Sequence, residues 1–394
     1  MSADATTKSK SKAKKTKPQG ESAPAVPAAT TPAPAPAEVA SYPVPHTEST
    51  STATAASAAA APAEAAAKPP AAATPQSEVQ AKPKANRGPF PDLSIRFSGI
   101  ELKNPILAAS GTFGYGIEFE DIVSLEKLGG FVSKGLSREP MPGNPPPRIF
   151  ETAAGMLNSI GLQNIGARAF VEEKLPLLRK KKDVVIICNV FGYTRQDYEA
   201  VIRILNEGEG IAAYELNVSC PNTSHGGISF GSDPVLLEEV VVSAKGAAGG
   251  HPVIVKLSPN VTSIARMARA AENAGADAIS LVNTFVAMAI DAETRKPRIS
   301  NITAGLSGPA IKPIALRMVY EAAHAVDIPV IGLGGISTAE DVIEFILAGA
   351  AAVQVGTANY WDPCATEKIV EGVRAWCIEH RVERLTDLVG ALET

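Results

Sequence analysis

From Pro89 onward the chain alternates short apolar runs with amphipathic stretches. Eight runs stand out: Pro105–Ala109, Gly130–Lys134, Val184–Val190, Ala213–Val218, Pro252–Leu257, Ala278–Val282, Pro329–Leu333 and Ala352–Val355. Most are nearly continuous in Val, Ile, Leu and Ala, the pattern of parallel strands covered on both faces. Helical signals separate them. Asp233-Pro234 sets a cap residue and a first-turn proline before LLEEVVVSAK, and Ser337-Thr338-Ala339-Glu340 reads as a capping box for a helix that runs to Gly349. Eight strand–helix repeats predict an α/β fold, a (β/α)8 TIM barrel, which usually takes about 250 residues plus insertions. An open doubly wound sheet has fewer strands and fits less well. The main insertion is expected between the second and third strands, where Met141–Pro147 and Thr152–Gly166 are rich in Pro, Gly and Asn and should cover the barrel mouth.

The pattern stops before Pro89. Residues 1–90 contain 27 Ala and 14 of the 31 Pro, with few larger apolar residues. Burial there cannot offset the entropy of ordering the backbone, and frequent proline blocks helix propagation. The domain reading is therefore a disordered low-complexity tail over 1–88 and a single barrel over 89–394, with the tail a solvated linker or a docking arm.

Charge follows the same division. The first 90 residues carry 10 Lys+Arg against 6 Asp+Glu, so a chain of net charge −4 leaves −8 for the remainder. An acidic body lacks the clustered positive charge that a nucleic-acid binder needs. No apolar stretch approaches the roughly 18 residues of a membrane span, and the Lys/Ser-rich N-terminus has no apolar signal region. Cys188, Cys220, Cys364 and Cys377 show neither CxxC nor paired spacing. A cytoplasmic protein without a resident metal or cysteine-bound cluster is expected.

Catalytic groups in this fold project from the C-terminal ends of the strands. Here those ends carry Ser110, Lys134, Asn189, Asn217 with Cys220, Lys256, Asn283 with Thr284, Gly334-Gly335 and Gly356-Thr357. Any one of them could be a satisfied loop residue, but two lysines, three asparagines and a thiol at one rim are costly packing choices. The glycines after strands seven and eight suit a phosphate site, either of a phosphorylated substrate or of a flavin mononucleotide. Asn189 and Asn217 could hydrogen-bond a flat heterocycle, and the two lysines would favour a negatively charged reduced flavin. Cys220 lies just past a strand end, before the glycine-rich Thr223–Gly227 loop, where a thiol can serve as general base. A Cys220–His225 nucleophile pair is a weaker alternative. Cys188 reads as a core filler.

These residues fall in motifs that resemble a known family. NPILAASGTFGYG (Asn104–Gly116), SKGLSREPMPGNPPPR (Ser133–Arg148), ETAAGMLNSIGLQN (Glu151–Asn164), ELNVSCPNTSHGGISFGSDP (Glu215–Pro234), VKLSPNVT (Val255–Thr262), LVNT (Leu281–Thr284), ITAGLSGPAIKP (Ile302–Pro313), GLGGI (Gly332–Ile336) and VGTAN (Val355–Asn359) resemble class 1 dihydroorotate dehydrogenases, FMN enzymes of pyrimidine biosynthesis. The resemblance covers about Leu93 to Leu392, and SCPN followed by HGG and FGSDP looks most like the NAD-linked class 1B.

The resemblance implies that Cys220 removes a proton from C5 of dihydroorotate while a hydride leaves C6 for the flavin. Substrate would be held by Lys134, Asn158, Ser159, Ile160, Gly161, Leu162, Asn217, Asn283 and Thr284. The FMN would be held by Ser110, Lys134, Gly135, Asn189, Asn217, Lys256, Val282, Gly308, Gly334, Gly335, Gly356 and Thr357. It further implies a homodimeric core, or a heterotetramer with a partner subunit that carries FAD and a 2Fe-2S cluster, since this chain has no cluster motif of its own. Thr112 stands where several relatives have Cys, and the tail is outside the family pattern. A fumarate-dependent dihydroorotate dehydrogenase, another flavin oxidoreductase acting on a uracil-like ring, and a catalytically silent scaffold are the alternatives.

Overall fold

The computed structural model describes residues 91–219 and 229–394. The tail over 1–88, Cys220 and His225 lie outside them. Eight parallel strands close into a barrel in chain order: β1 (Ile106–Ala108), β2 (Gly130–Val132), β3 (Ile186–Val190), β4 (Ile211–Asn217), β5 (Val253–Lys256), β6 (Ala278–Leu281), β7 (Val330–Leu333) and β8 (Ala352–Val355). Each overlaps its predicted run, and β4 begins two residues earlier than expected. The barrel expectation therefore holds strand by strand.

Helices cover the outside, among them Arg195–Leu205, Pro234–Ala247, Ile264–Asn273, Lys312–Ala323, Ala339–Leu347 and Ala365–Glu379. Asp233 caps as predicted, its carboxylate accepting from the backbone N–H of Val235 (2.9 Å) and Leu236 (3.1 Å). The second predicted cap is displaced by one residue. Thr338 is the N-cap and Asp341 closes the box, because Asp341 also receives the Ser337 N–H (2.7 Å) and the Lys312 ammonium (2.6 Å), while Glu340 remains exposed. Those contacts hold the Asp341 carboxyl below the usual carboxylate range despite its burial.

Strand alternation divides the barrel interior into levels. Leu107, Val132, Ile187, Ala213, Ile254, Ala278, Ile331 and Ala352, one from each strand, form a buried apolar layer. An antiparallel hairpin, Ile95–Phe97 with Ile100–Leu102, seals it from below by adding Phe97, Ile100 and Leu102 to the same cluster. Its two-residue turn places Ser98 and Gly99 at φ 48° and 82°, the handedness that suits a tight hairpin. Ser98 also donates its hydroxyl to the Asp277 carbonyl (2.6 Å), which ties the plug to the start of β6.

The mouth is covered by two insertions, where the sequence suggested one main one. A hairpin of Ile149–Thr152 and Gly155–Asn158 follows β2, and Phe285–Ala287 and Ala304–Ser307 follow β6. Together they form one four-stranded antiparallel sheet, with Ala304–Ser307 paired between Phe285–Ala287 and Gly155–Asn158. Phe285–Ala287 continues the apolar texture of β6, and Ala304–Ser307 is glycine-containing and short, so neither announced itself as a strand. Glycine is needed where these pieces meet. A side chain on Gly155 would strike the Ser307 carbonyl at 2.1 Å, and one on Gly308 would strike the Gly155 Cα at 2.6 Å.

Phe97 is 5% exposed within the plug. Phe97→Ala is expected to destabilise the protein by about 3 kcal/mol or more. Denaturant unfolding checks this, and a loss under about 1 kcal/mol would show that the hairpin does not seal the barrel.

Candidate active site

Two residues beyond the apolar layer, the same strand parity brings Lys134, Asn189, Glu215, Lys256, Ser280 and Gln354 toward the axis, with Ala109 and Leu333 completing the level. Side-chain bonding joins five of them. Glu215 is fully buried and its two carboxylate oxygens collect donors from four other strands. Oε1 accepts from Asn189 Nδ2 (2.7 Å) and lies 3.6 Å from Lys256 Nζ, while Oε2 accepts from Ser280 Oγ (2.9 Å) and Gln354 Nε2 (2.5 Å). A buried carboxylate is tolerated only with such partners. Asn189 Oδ1 and Gln354 Oε1 are buried and have no hydrogen-bond partner among the described residues.

Asn217, Asn283 and Thr284 form the next level up. Asn283 Nδ2 donates to Asn217 Oδ1 (3.2 Å) and to Ser219 Oγ (2.9 Å), and its Oδ1 accepts from the Thr284 N–H (2.8 Å). Ser219 immediately precedes Cys220 in the sequence. Thr284 packs where Gly305 has no side chain; a Cβ there would lie 2.2 Å from Thr284 Oγ1.

Lys134 is half-buried at the end of β2, and its backbone N–H donates to the Gly114 carbonyl (2.8 Å). Burial, and then the nearby Arg148 charge, lower its ammonium pKa from the ordinary lysine value. Arg148 belongs to the first insertion, where Nη1 donates to the Asn144 carbonyl (3.2 Å) and Nη2 to Gln163 Oε1 (2.6 Å). The predicted substrate segment Asn158–Leu162 is anchored in the same place. Ser159 N–H donates to the Arg148 carbonyl (2.8 Å), Asn144 N–H to the Ile160 carbonyl (2.9 Å), and Asn301 Nδ2 to Ser159 Oγ (2.8 Å). Gly161 and Leu162 both have positive φ, 73° and 57°. For leucine that conformation is unusual and persists only where the surroundings impose it.

The glycines collect at one corner. Gly308 (φ 99°), Gly334 (φ 128°) and Gly335 (φ 78°) sit around the start of the Lys312–Ala323 helix, where a Cβ on Gly335 would come within 2.8 Å of the Lys312 backbone nitrogen. Ser110 follows β1 next to Gly356-Thr357 after β8, and Thr357 Oγ1 donates to Ser307 Oγ (2.9 Å). Val282 is buried beside Gly334, its methyl 3.3 Å from where a Cβ would be. Gly135 lies over Asn189, and a Cβ there would approach Asn189 Oδ1 to 2.9 Å. All the predicted site residues among those described thus lie on the mouth side of the barrel.

Glu215, Ser280, Gln354 and Arg148 were not among the predicted site residues. The first three carried a readable signal, since each is a polar residue inside an apolar run at the strand position equivalent to Asn189. Arg148 carried none, because it reaches Lys134 only through the fold of the insertion.

This geometry accompanies a family match. Residues 92–376 match the family described as dihydroorotate dehydrogenase. The chain belongs to that family. It is 62% identical to a protein of Solibacter usitatus provisionally named dihydroorotate dehydrogenase A (fumarate). It is 55% identical to the dihydroorotate dehydrogenase B (NAD(+)) catalytic subunit of Pelobacter propionicus and 53% identical to that of Trichlorobacter lovleyi. Each of these alignments takes in 77% of this chain and 99% of the relative. The protein is an oxidoreductase acting on dihydroorotate. Among the described residues no helix is long and apolar enough to cross a membrane, and no group of His, Cys, Asp and Glu is arranged to hold a metal ion.

With its pKa lowered, Lys134 loses its proton earlier than an ordinary lysine as the pH rises. Affinity for an anion at Lys134 should therefore decline with rising pH before the usual lysine value, near 10.4, is reached. Folding stability responds oppositely, rising with pH in that interval because the unfolded chain holds the extra proton. Arg148→Gln is expected to move the decline in orotate affinity to higher pH, and orotate titrations across the pH range check it. A decline at the same pH in both proteins would remove Arg148 from this role.

Proposed function

We propose that the chain oxidises (S)-dihydroorotate to orotate, in UMP biosynthesis, with FMN bound at the barrel mouth and Cys220 as the general base. The observation that carries this reading is the stack of levels at the mouth. The cluster of Asn217, Ser219 and Asn283 stands above two buried acceptors that have no partner among the described residues. A flavin suits those acceptors, because it brings an imide N–H and ribityl hydroxyls as donors and is flat enough to lie across a barrel.

Asn189, Asn217, Lys134, Lys256, Ser110, Gly135 and Val282 would hold its ring and ribityl chain. Gly308, Gly334, Gly335, Gly356 and Thr357 would hold its phosphate, where positive φ and missing side chains let backbone approach an anion. When bound, FMN supplies the acceptor for the hydride from C6. The Cys220 thiolate takes the proton from C5. Lys134 faces the substrate carboxylate, and Asn217, Asn283 and Thr284 grip the amide edges of the ring. The Asn158–Leu162 segment, pinned by Asn144 and Arg148, closes over the substrate and excludes water.

The purified protein is expected to be yellow and to be bleached by dihydroorotate under anaerobic conditions; a colourless protein, or a flavin unaffected by that compound, would overturn the assignment. In Cys220→Ala the flavin should remain bound while its reduction by dihydroorotate slows by roughly a hundredfold or more. Reduction at the original rate would place the base elsewhere.

For the electron acceptor we favour NAD, reached through a partner subunit that carries FAD and a 2Fe-2S cluster, around a homodimer of this chain. The motif run from SCPN to FGSDP and the names of the Pelobacter and Trichlorobacter relatives support it. The Solibacter relative's name favours the second reading, fumarate reduction by this chain alone. Stopped-flow reoxidation distinguishes them. Substrate-reduced protein should be inert to fumarate and should reduce NAD only when the partner subunit is present, whereas rapid reoxidation by fumarate alone selects the second reading.

A further inference from the structure

Glu215 stands outside the substrate and cofactor contacts set out above, yet four strands converge on it. Asn189 from β3, Lys256 from β5, Ser280 from β6 and Gln354 from β8 all direct hydrogens or positive charge at its carboxylate. Each amide has one donor end and one acceptor end. Because Asn189 and Gln354 both turn their N–H groups to Glu215, their carbonyl oxygens must point elsewhere, and those are the two buried oxygens without a partner among the described residues. The reverse orientation would set a carbonyl against a carboxylate in a dry interior, where unlike partners are strongly preferred. The one negative charge in this level thus orients two acceptors and neutralises the ammonium beside them.

We propose that Glu215 is a positioning residue for the flavin, aiming the Asn189 and Gln354 carbonyls at the donors of the bound ring and ribityl chain and holding Lys256 beneath it, and that Gln354 is a further cofactor-binding residue. This rests on the FMN reading of the mouth. Glu215 touches no ligand itself. It acts by spending one end of each amide and by balancing a positive charge that would otherwise draw electrons toward the ring.

The test compares Glu215→Gln with the unaltered full-length chain in two measurements, FMN affinity from quenching of flavin fluorescence on titrating apoprotein, and the midpoint potential of the bound flavin. In Glu215→Gln the affinity is expected to fall roughly tenfold or more, since charge-assisted hydrogen bonds that set the geometry are lost. The potential is expected to become more positive, because Lys256 loses its counter-charge. A loss of affinity with an unchanged or more negative potential would reduce Glu215 to a structural role, and no change in either quantity would also overturn the proposal. If Glu215→Gln does not fold, as judged by circular dichroism, Gln354→Met carries the test. It keeps the volume but removes one acceptor and one donor to Glu215, so FMN affinity should again fall roughly tenfold; an unchanged affinity overturns the proposal. Failure of the unaltered chain to bind FMN would instead sink the reading of the mouth as a flavin site.

Discussion

A closed barrel of parallel strands sends every second side chain to a common axis, and that constraint governs the whole molecule. One level of the axis is apolar from all eight strands, and the level two residues further on is mostly polar. The boundary is sharp because the pleat repeats every two residues. The lower level adds to the burial that strands and helices share on the outside of the barrel. The upper level can then hold a carboxylate, an ammonium and two amides out of water, because a hydrophobic floor and a hairpin plug exclude solvent from below.

A polar level in a dry place is stable only if its internal bonds are nearly complete, and among the described residues they stop two acceptors short. Nature rarely leaves a buried carbonyl unpaired without use. The same logic applies to Lys134, whose burial and neighbouring Arg148 disfavour its charge. Both features are costs in the free protein that a bound anion and a flat donor-bearing ring would relieve, so the site is organised around interactions it does not complete by itself.

The barrel itself was legible in the chain, because buried parallel strands leave near-continuous apolar runs and all eight appeared. The lysines, asparagines and glycines at the strand ends were legible too, because the fold fixes where catalytic groups must project. What escaped reading depended on long-range contact. Phe285–Ala287 and Ala304–Ser307 become strands only by pairing across to Gly155–Asn158, an association without a local signal. The capping box slipped from Ser337 to Thr338 because Lys312, 29 positions before Asp341, bonds that carboxylate and favours it over Glu340. Glu215 sat in plain view in an apolar run, but its importance lies in four partners from four strands, and parity had to be counted across all of them to see it.

The same division explains why similarity identifies the family more readily than the electron acceptor. The axis is tightly constrained, because Asn189, Glu215, Lys256, Ser280 and Gln354 form one bonded network and a substitution at one disturbs several. In the proposed reaction the acceptor is met after the substrate has reacted, and the barrel interior does not dictate where. A relative named for fumarate and relatives named for NAD(+) can therefore align with this chain over the same 77% of its length, at 62% and at 53–55% identity. What separates them has to be sought at the rim and in the insertions, where one family scaffold is free to meet different oxidants.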